Sequence, residues 1–213
     1  MKKVDKSMLI TSLVCLLPLV LSSAMYNRLP DRIAVHWDSA GNADNFASKG
    51  FAAFGLPLFL LALNIFVHFM LNNDPKKMRT SKAMRQISKW LIPVISVILM
   101  PITLFIAVGV DIPIPMITSA IVGIILILCG NYLPKSRQNY TVGIKLPWTL
   151  NSEENWNKTH RLAGYLWVLG GIIIIGTSFI NAKLSSFSVV LIVVSILVVI
   201  PMAYSYRLYR KGV

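Results

Sequence analysis

Six stretches of this chain contain no Lys, Arg, Asp or Glu, and each is long enough to cross a bilayer: Met8–Met25, Phe51–Leu71, Trp90–Val110, Ile114–Leu133, Ala163–Ala182 and Phe187–Tyr206. A hydrocarbon layer ~30 Å thick is spanned by ~20 residues rising ~1.5 Å each. Hydrocarbon offers no partners to backbone amides, so each run must pair its own N–H and C=O groups as a helix. Composition agrees: 55% of the 213 residues are hydrophobic, 14% are charged, and the mean hydropathy is +0.67, outside the range of a soluble domain. The expected fold is an all-α membrane protein of six transmembrane helices.

The basic residues orient it. When the runs are threaded alternately, Arg28, Arg32, Lys49 and Lys183 fall on one side and the remaining seventeen of the 21 Lys and Arg on the other. This bias puts both termini in the cytoplasm, residues 27–49 outside and residues 134–162 inside. The net charge of +13 then belongs to the flanks of membrane helices, because the cations border apolar runs and do not alternate with stacking aromatics as in a nucleic-acid surface. The first run has the basic start and the Ser22-Ser23-Ala24 stretch of a signal peptide, but its apolar part is long for one and is read as a retained helix.

The spans carry little chemistry. Cys15 and Cys129 are isolated in apolar runs, without the spacing of a zinc site, and read as small packing residues. Ion-coupled transport usually needs a charged group near the midplane. His68 is the nearest candidate, about one turn from its helix end, with Asn64 one turn earlier placed to hydrogen-bond it. Gly123 and Gly130, then Gly164 and Gly171, recur at heptad distance and read as faces on which helix backbones approach closely. No cofactor or metal site is expected.

Two loops are richer than connectors. In Asn27–Lys49, Ile33, Val35 and Trp37 alternate with Ala34, His36 and Asp38 as in a short strand, and Asp38 to Asn42 supplies turn chemistry. The loop is expected on the bilayer surface, with Trp37 at headgroup depth. In Gly130–Arg161, the alternation of Tyr140, Val142, Ile144 and Leu146 reads as an extended stretch ended by Pro147. Asn151 with Glu154 reads as a helix cap, and Trp156, His160, Ala163 and Trp167 recur at helical spacing. An interfacial anchor would put Trp148 and Trp156 at headgroup depth and Lys158 and Arg161 toward lipid phosphates. A docking surface for a cytoplasmic partner is the sharper alternative.

The first loop resembles the "LP…HW…G…D…K" segment of a small bacterial membrane domain of unknown function, the DUF1648 type, through Leu29-Pro30, His36-Trp37, Gly41, Asp44 and Lys49. The second is similar to the signature of the SdpI family of bacterial immunity proteins. Its matching pieces are Gly130-Asn131-Tyr132, Asn139-Tyr140, Val142 to Lys145, Pro147 to Leu150, Trp156 and Thr159-His160-Arg161. The resemblance implies a DUF1648-type hairpin over 1–89 and an SdpI-like four-helix region over 90–213. It implies an immunity protein that gives resistance to a secreted peptide toxin and signals by recruiting a cytoplasmic winged-helix repressor to the membrane. On this reading His36, Trp37, Asp38, Gly41, Asp44 and Lys49 face the toxin. Asn131, Asn139, Tyr140, Gly143, Lys145, Trp148, Thr149, Trp156, Thr159, His160 and Arg161 form the partner surface. The expected partners are the toxin, the repressor and membrane lipids, with no direct nucleic acid. A small-molecule or ion transporter is the rival reading, although the two loops differ and show no inverted repeat. An enzyme is not expected, because His36 and His160 fall on opposite sides of the bilayer.

Overall fold

The computed structural model describes residues 6–38, 40–180 and 186–213. Lys2, Lys3, Ser39, Lys183 and the far end of the fifth run at Ala182 lie outside the described residues. Six helices are long and apolar enough to cross a membrane, in the order the apolar runs predict. They are α1 (Lys6–Met25), α2 (Leu56–Asn73), α3 (Lys82–Ala107), α4 (Ile114–Tyr132), α6 (Glu153–Ser178) and α7 (Ser186–Arg210), with a short α5 (Pro147–Asn151) before α6. Leu13, Phe59, Phe66, Ile172 and Val198 are each more than half exposed. An apolar exterior of this kind suits lipid and not water.

The chain forms two compact units. Residues 1–70 and 88–113 make the first. It takes in the third apolar run, which the sequence reading assigned to the region after residue 90. After α1, a 3-10 turn at Tyr26–Arg28 leads into an antiparallel hairpin of β1 (Arg32–Trp37) and β2 (Ala43–Ser48). Arg32 pairs with Ser48 and Ala34 with Phe46, and the register is irregular around His36. The first strand was expected. The second was not, because Ala-Asp-Asn-Phe-Ala-Ser has weak strand propensity and is held by pairing with β1. The hairpin is anchored by Ile33, 1% exposed, which packs with Leu29, Ala52, Ala53 and Leu104. A π-helical turn at Phe51–Gly55 then opens into α2.

Several polar side chains inside this unit pair across helices. Nδ2 of Asn64 donates to Oγ1 of Thr11 and Oγ of Ser12, both at 3.2 Å, and Nε2 of His68 lies 2.9 Å from the same Thr11 oxygen. Asn64 and His68 were expected to meet each other, but both reach across to α1. Side chains one turn apart on a helix point the same way, and the facing helix offers the better-placed acceptor. Oγ of Ser96 donates to the Cys15 carbonyl at 3.1 Å, tying α3 to α1.

Residues 71–87 and 114–213 make the second unit. Here α6 packs against both α4 and α7. The two glycine stripes meet face to face. A Cβ on Gly130 would lie 2.8 Å from the Gly164 carbonyl oxygen, and one on Gly171 would lie 2.5 Å from that of Gly123. The lower-numbered glycine of one helix faces the higher-numbered glycine of the other, so α4 and α6 run antiparallel with their backbones nearly touching. Gly170 meets Val193 and Leu197 of α7 in the same way.

Candidate functional site

The richest polar assembly in the described residues joins the 71–87 stretch, the segment between α4 and α6, and the first turns of α6. Pro134 sits in a 3-10 turn (Leu133–Lys135) that ends α4. The chain then passes through bends and turns up to Pro147. No strand forms over the expected extended stretch Tyr140–Leu146: the chain bends from Tyr140 to Gly143 and is extended at Leu146. With no neighbouring strand to pair with, the backbone is satisfied by side chains instead.

Asn139, fully buried, organises the first bend. Its Oδ1 accepts the N–H groups of Thr141 (3.0 Å) and Val142 (2.7 Å), and its Nδ2 donates to the Arg137 carbonyl. Asp74 closes on the same bend from the other side: its Oδ2 accepts the Tyr140 N–H at 3.1 Å and the Thr141 hydroxyl at 2.5 Å, and its Oδ1 accepts the Lys76 N–H at 2.7 Å. Lys76 donates to Oε1 of Gln138 at 2.8 Å and lies 4.8 Å from the Tyr140 ring centre. Gln138 in turn donates to the carbonyls of Thr149 and Leu150. A buried carboxylate surrounded by donors is stable in a way that an isolated one is not.

The second bend leans on α6. The Ile144 N–H donates to Nε2 of His160 at 2.9 Å, so that nitrogen is an acceptor, and the imidazole hydrogen sits on Nδ1, 2.7 Å from the Trp156 carbonyl. The His160 ring stacks on the Trp156 indole with centroids 3.9 Å apart. Trp156 is fully buried and its Nε1 donates to the Ser136 carbonyl. Gly143, with φ +131°, crosses directly over this stack; a Cβ there would lie 2.5 Å from Nε2 of His160 and 2.7 Å from Cη2 of Trp156. The hydroxyl of Thr149 accepts the Leu146 N–H and donates to the Ile144 carbonyl, both at 2.8 Å.

Two expectations are corrected here. Trp156 is no headgroup anchor: it is the buried post around which the segment folds, since an indole whose N–H has a backbone acceptor can be fully enclosed. The α6 cap is Ser152, whose hydroxyl accepts the Asn155 N–H, and not Asn151, which α5 takes as its last residue. Thr159 lies beneath the same assembly, bonded to Oδ1 of Asn155, which also accepts the Ser205 hydroxyl at 2.6 Å and ties α6 to α7.

The sequence-derived partner residues therefore divide. Asn139, Thr149, Trp156, Thr159 and His160 are buried, and Gly143 is half-buried where the loop crosses the Trp156 and His160 rings. Asn131, Tyr140, Lys145 and Arg161 are exposed. Lys145 reaches back to the carbonyls of Tyr140 and Thr141. Trp148 is half-buried against Tyr206 and Tyr209 of α7. Arg79 pairs with Glu153 and Lys158 with Glu154. Asp74, Gln138, Asn155 and Ser205 escaped the sequence reading. Only Asp74 left a signal, as a single acid in an otherwise basic connector.

In the other unit the hairpin residues are mostly exposed. His36 Nδ1 lies 2.6 Å from Oδ1 of Asp44 across the two strands. Asp38 closes the turn: its Oδ1 accepts the N–H groups of Ala40 and Asn42, which holds its carboxyl below the usual value, the Asn42 backbone N–H contributing most. Gly41 takes φ +89° in that turn. Lys49 lies 4.4 Å from the Tyr26 ring centre. Trp37 is half-buried. Below the hairpin, a cleft of about 1050 Å³ opens between the ends of α1 and α3, lined by Leu21, Met25, Arg28, Leu29 and Phe105. Among the described residues no three His, Cys, Asp or Glu side chains converge as metal ligands.

Comparison with known proteins agrees with this division. The sequence model of the SdpI/YfhL protein family matches residues 135–205, and that of the domain of unknown function DUF1648 matches residues 13–61. The chain is 28% identical over 206 residues to "Immunity protein SdpI" of Bacillus subtilis (strain 168), covering 97% of each chain. No solved structure matches. Both resemblances read from the loops are thus found independently, and the chain is a multi-pass cell-membrane protein.

Proposed function

We propose that this chain is a membrane immunity protein that protects its cell from a secreted peptide toxin. The observation that carries this reading is the similarity to an immunity protein along 97% of both chains, which takes in both loops and all six spans. The hairpin with His36, Trp37, Asp38, Gly41, Asp44 and Lys49 faces outward. The cleft beneath it adds an apolar wall with Arg28 at its rim, suited to an amphipathic peptide. The 134–162 segment faces inward. It signals by holding a cytoplasmic winged-helix repressor through its exposed Tyr140 and Lys145, with Trp148 and its tyrosine neighbours alongside. The buried Asn139, Thr149, Trp156, Thr159 and His160, with Gly143 packed on the Trp156 and His160 rings, shape this surface without touching the partner.

Expression in a toxin-sensitive strain tests immunity. Survival should rise by orders of magnitude over the empty vector, and unchanged killing by peptide toxins of this class would refute it. Signalling is tested separately. A double variant Tyr140→Ala/Lys145→Gln should lower the membrane-bound fraction of repressor while toxin survival holds. Equal recruitment would remove the docking role and leave immunity standing.

A further inference from the structure

We infer that a cleft between the 3-10 turn at Leu133–Lys135 and the second turn of α6 holds the headgroup phosphate of an anionic phospholipid. The cleft, about 330 Å³, is lined by Pro134, Asn157, Lys158 and Arg161. Lys158 is engaged by Glu154 at 2.7 Å. The exposed side chains of Asn157 and Arg161 have no hydrogen bond or ion pair among the described residues. They stand one turn apart on the same face of α6, so an amide and a guanidinium converge on one space. A guanidinium matches phosphate oxygens with paired donors, and an adjacent amide N–H adds a third. Gly164 lets Pro134 pack directly on α6 beneath the cleft, since a Cβ there would come within 2.5 Å of Cγ of Pro134.

The ligand needs an apolar tail as well as an anionic head. Continuing along α6 from Arg161 at helical spacing come Tyr165, 72% exposed, then Leu169 at 56% and Ile172 at 55%. This ridge starts one turn from the guanidinium and runs into the most apolar part of the helix. An acyl chain can lie against it while the phosphate sits at Arg161. A free phosphate would use only the head of this arrangement, and a soluble acidic peptide would gain nothing from a ridge embedded in hydrocarbon.

Native mass spectrometry of the full chain, released from micelles doped with phosphatidylglycerol or phosphatidylcholine, tests the site. The protein should retain one phosphatidylglycerol in preference to phosphatidylcholine. Arg161→Gln should weaken that retention about five- to tenfold, since each cation at a membrane surface is worth about a factor of this size. Asn157→Leu should weaken it less, Arg161→Lys should fall between the parent and Arg161→Gln because it keeps the charge but loses the paired donors, and Lys82→Gln should leave it unchanged. Arg161 makes no bond that folding uses, so its variants should melt with the parent. Equal retention by Arg161→Gln, or no preference between the two lipids, overturns the proposal. Displacement of the bound lipid by millimolar inorganic phosphate also overturns it, by assigning the cleft to a free anion.

Discussion

Gly143 and His160 show how one small residue and one large one together determine a loop. The positive φ of Gly143 favours glycine, and the stacked Trp156 and His160 rings leave no room for a methyl group. Gly143→Ala should therefore cost about 1–3 kcal/mol, read as a lower melting temperature in detergent. His160→Phe keeps the stacking but leaves the Ile144 N–H buried without an acceptor, at a cost of about 1–3 kcal/mol. Loss should be smaller for His160→Asn, because an amide oxygen can take the same bond. Asp38 supplies a pH test in the hairpin. Its carboxyl is held below the usual value near 3.8 by the N–H groups of Asn42 and Ala40. A lowered folded value means that the turn gains stability above the ordinary carboxylate range and loses it as pH falls through the folded value. The protection of the Asn42 amide against exchange, taken relative to the intrinsic rate at each pH, should fall below about pH 4 in the parent, and in Asp38→Asn that protection should no longer change with pH in that range.

At the scale of elements, the glycine stripes were legible because close helix approach has only a few residue solutions. Their partners were not legible, since a repeat does not say which helix it faces. The pairing of Gly123 with Gly171 and Gly130 with Gly164 settles that. Gly171→Leu should force α4 and α6 apart and destabilise the fold by at least about 1–3 kcal/mol, as overpacking a core does, read as a lower melting temperature in detergent. Gly176, with nothing near its Cβ position, should accept Ala with no measurable loss. The second hairpin strand shows the opposite case. Ala43–Ser48 has little strand character of its own, and pairing with Arg32–Trp37 makes it one. Trp156 was legible as one of a helical series but its burial was not, because an indole at a helix start serves equally well as anchor or as post.

For the whole molecule, the cation count makes a claim about sidedness. Single cysteines placed at Asn45 and at Tyr140, in a chain lacking Cys15 and Cys129, should react with an impermeant thiol reagent from opposite faces of intact cells. Asn45 should label from outside, and Tyr140 only after permeabilisation. Labelling of both from one face would break the alternation of six helices.

The amino-acid sequence by itself determined the spans. A run of twenty apolar residues has one low-energy solution in hydrocarbon, whatever surrounds it. The sequence also carried the two loop signatures, because turn glycines, caps and buried polar residues are tied to local backbone shape. Tertiary structure alone decided what the polar residues of the loops do. Asp74 meets Tyr140 and Thr141 from more than sixty positions away, and Asn155 meets Ser205 across two helices. A hydrogen bond depends on distance and direction in space, and neither is written in the spacing of residues along the chain.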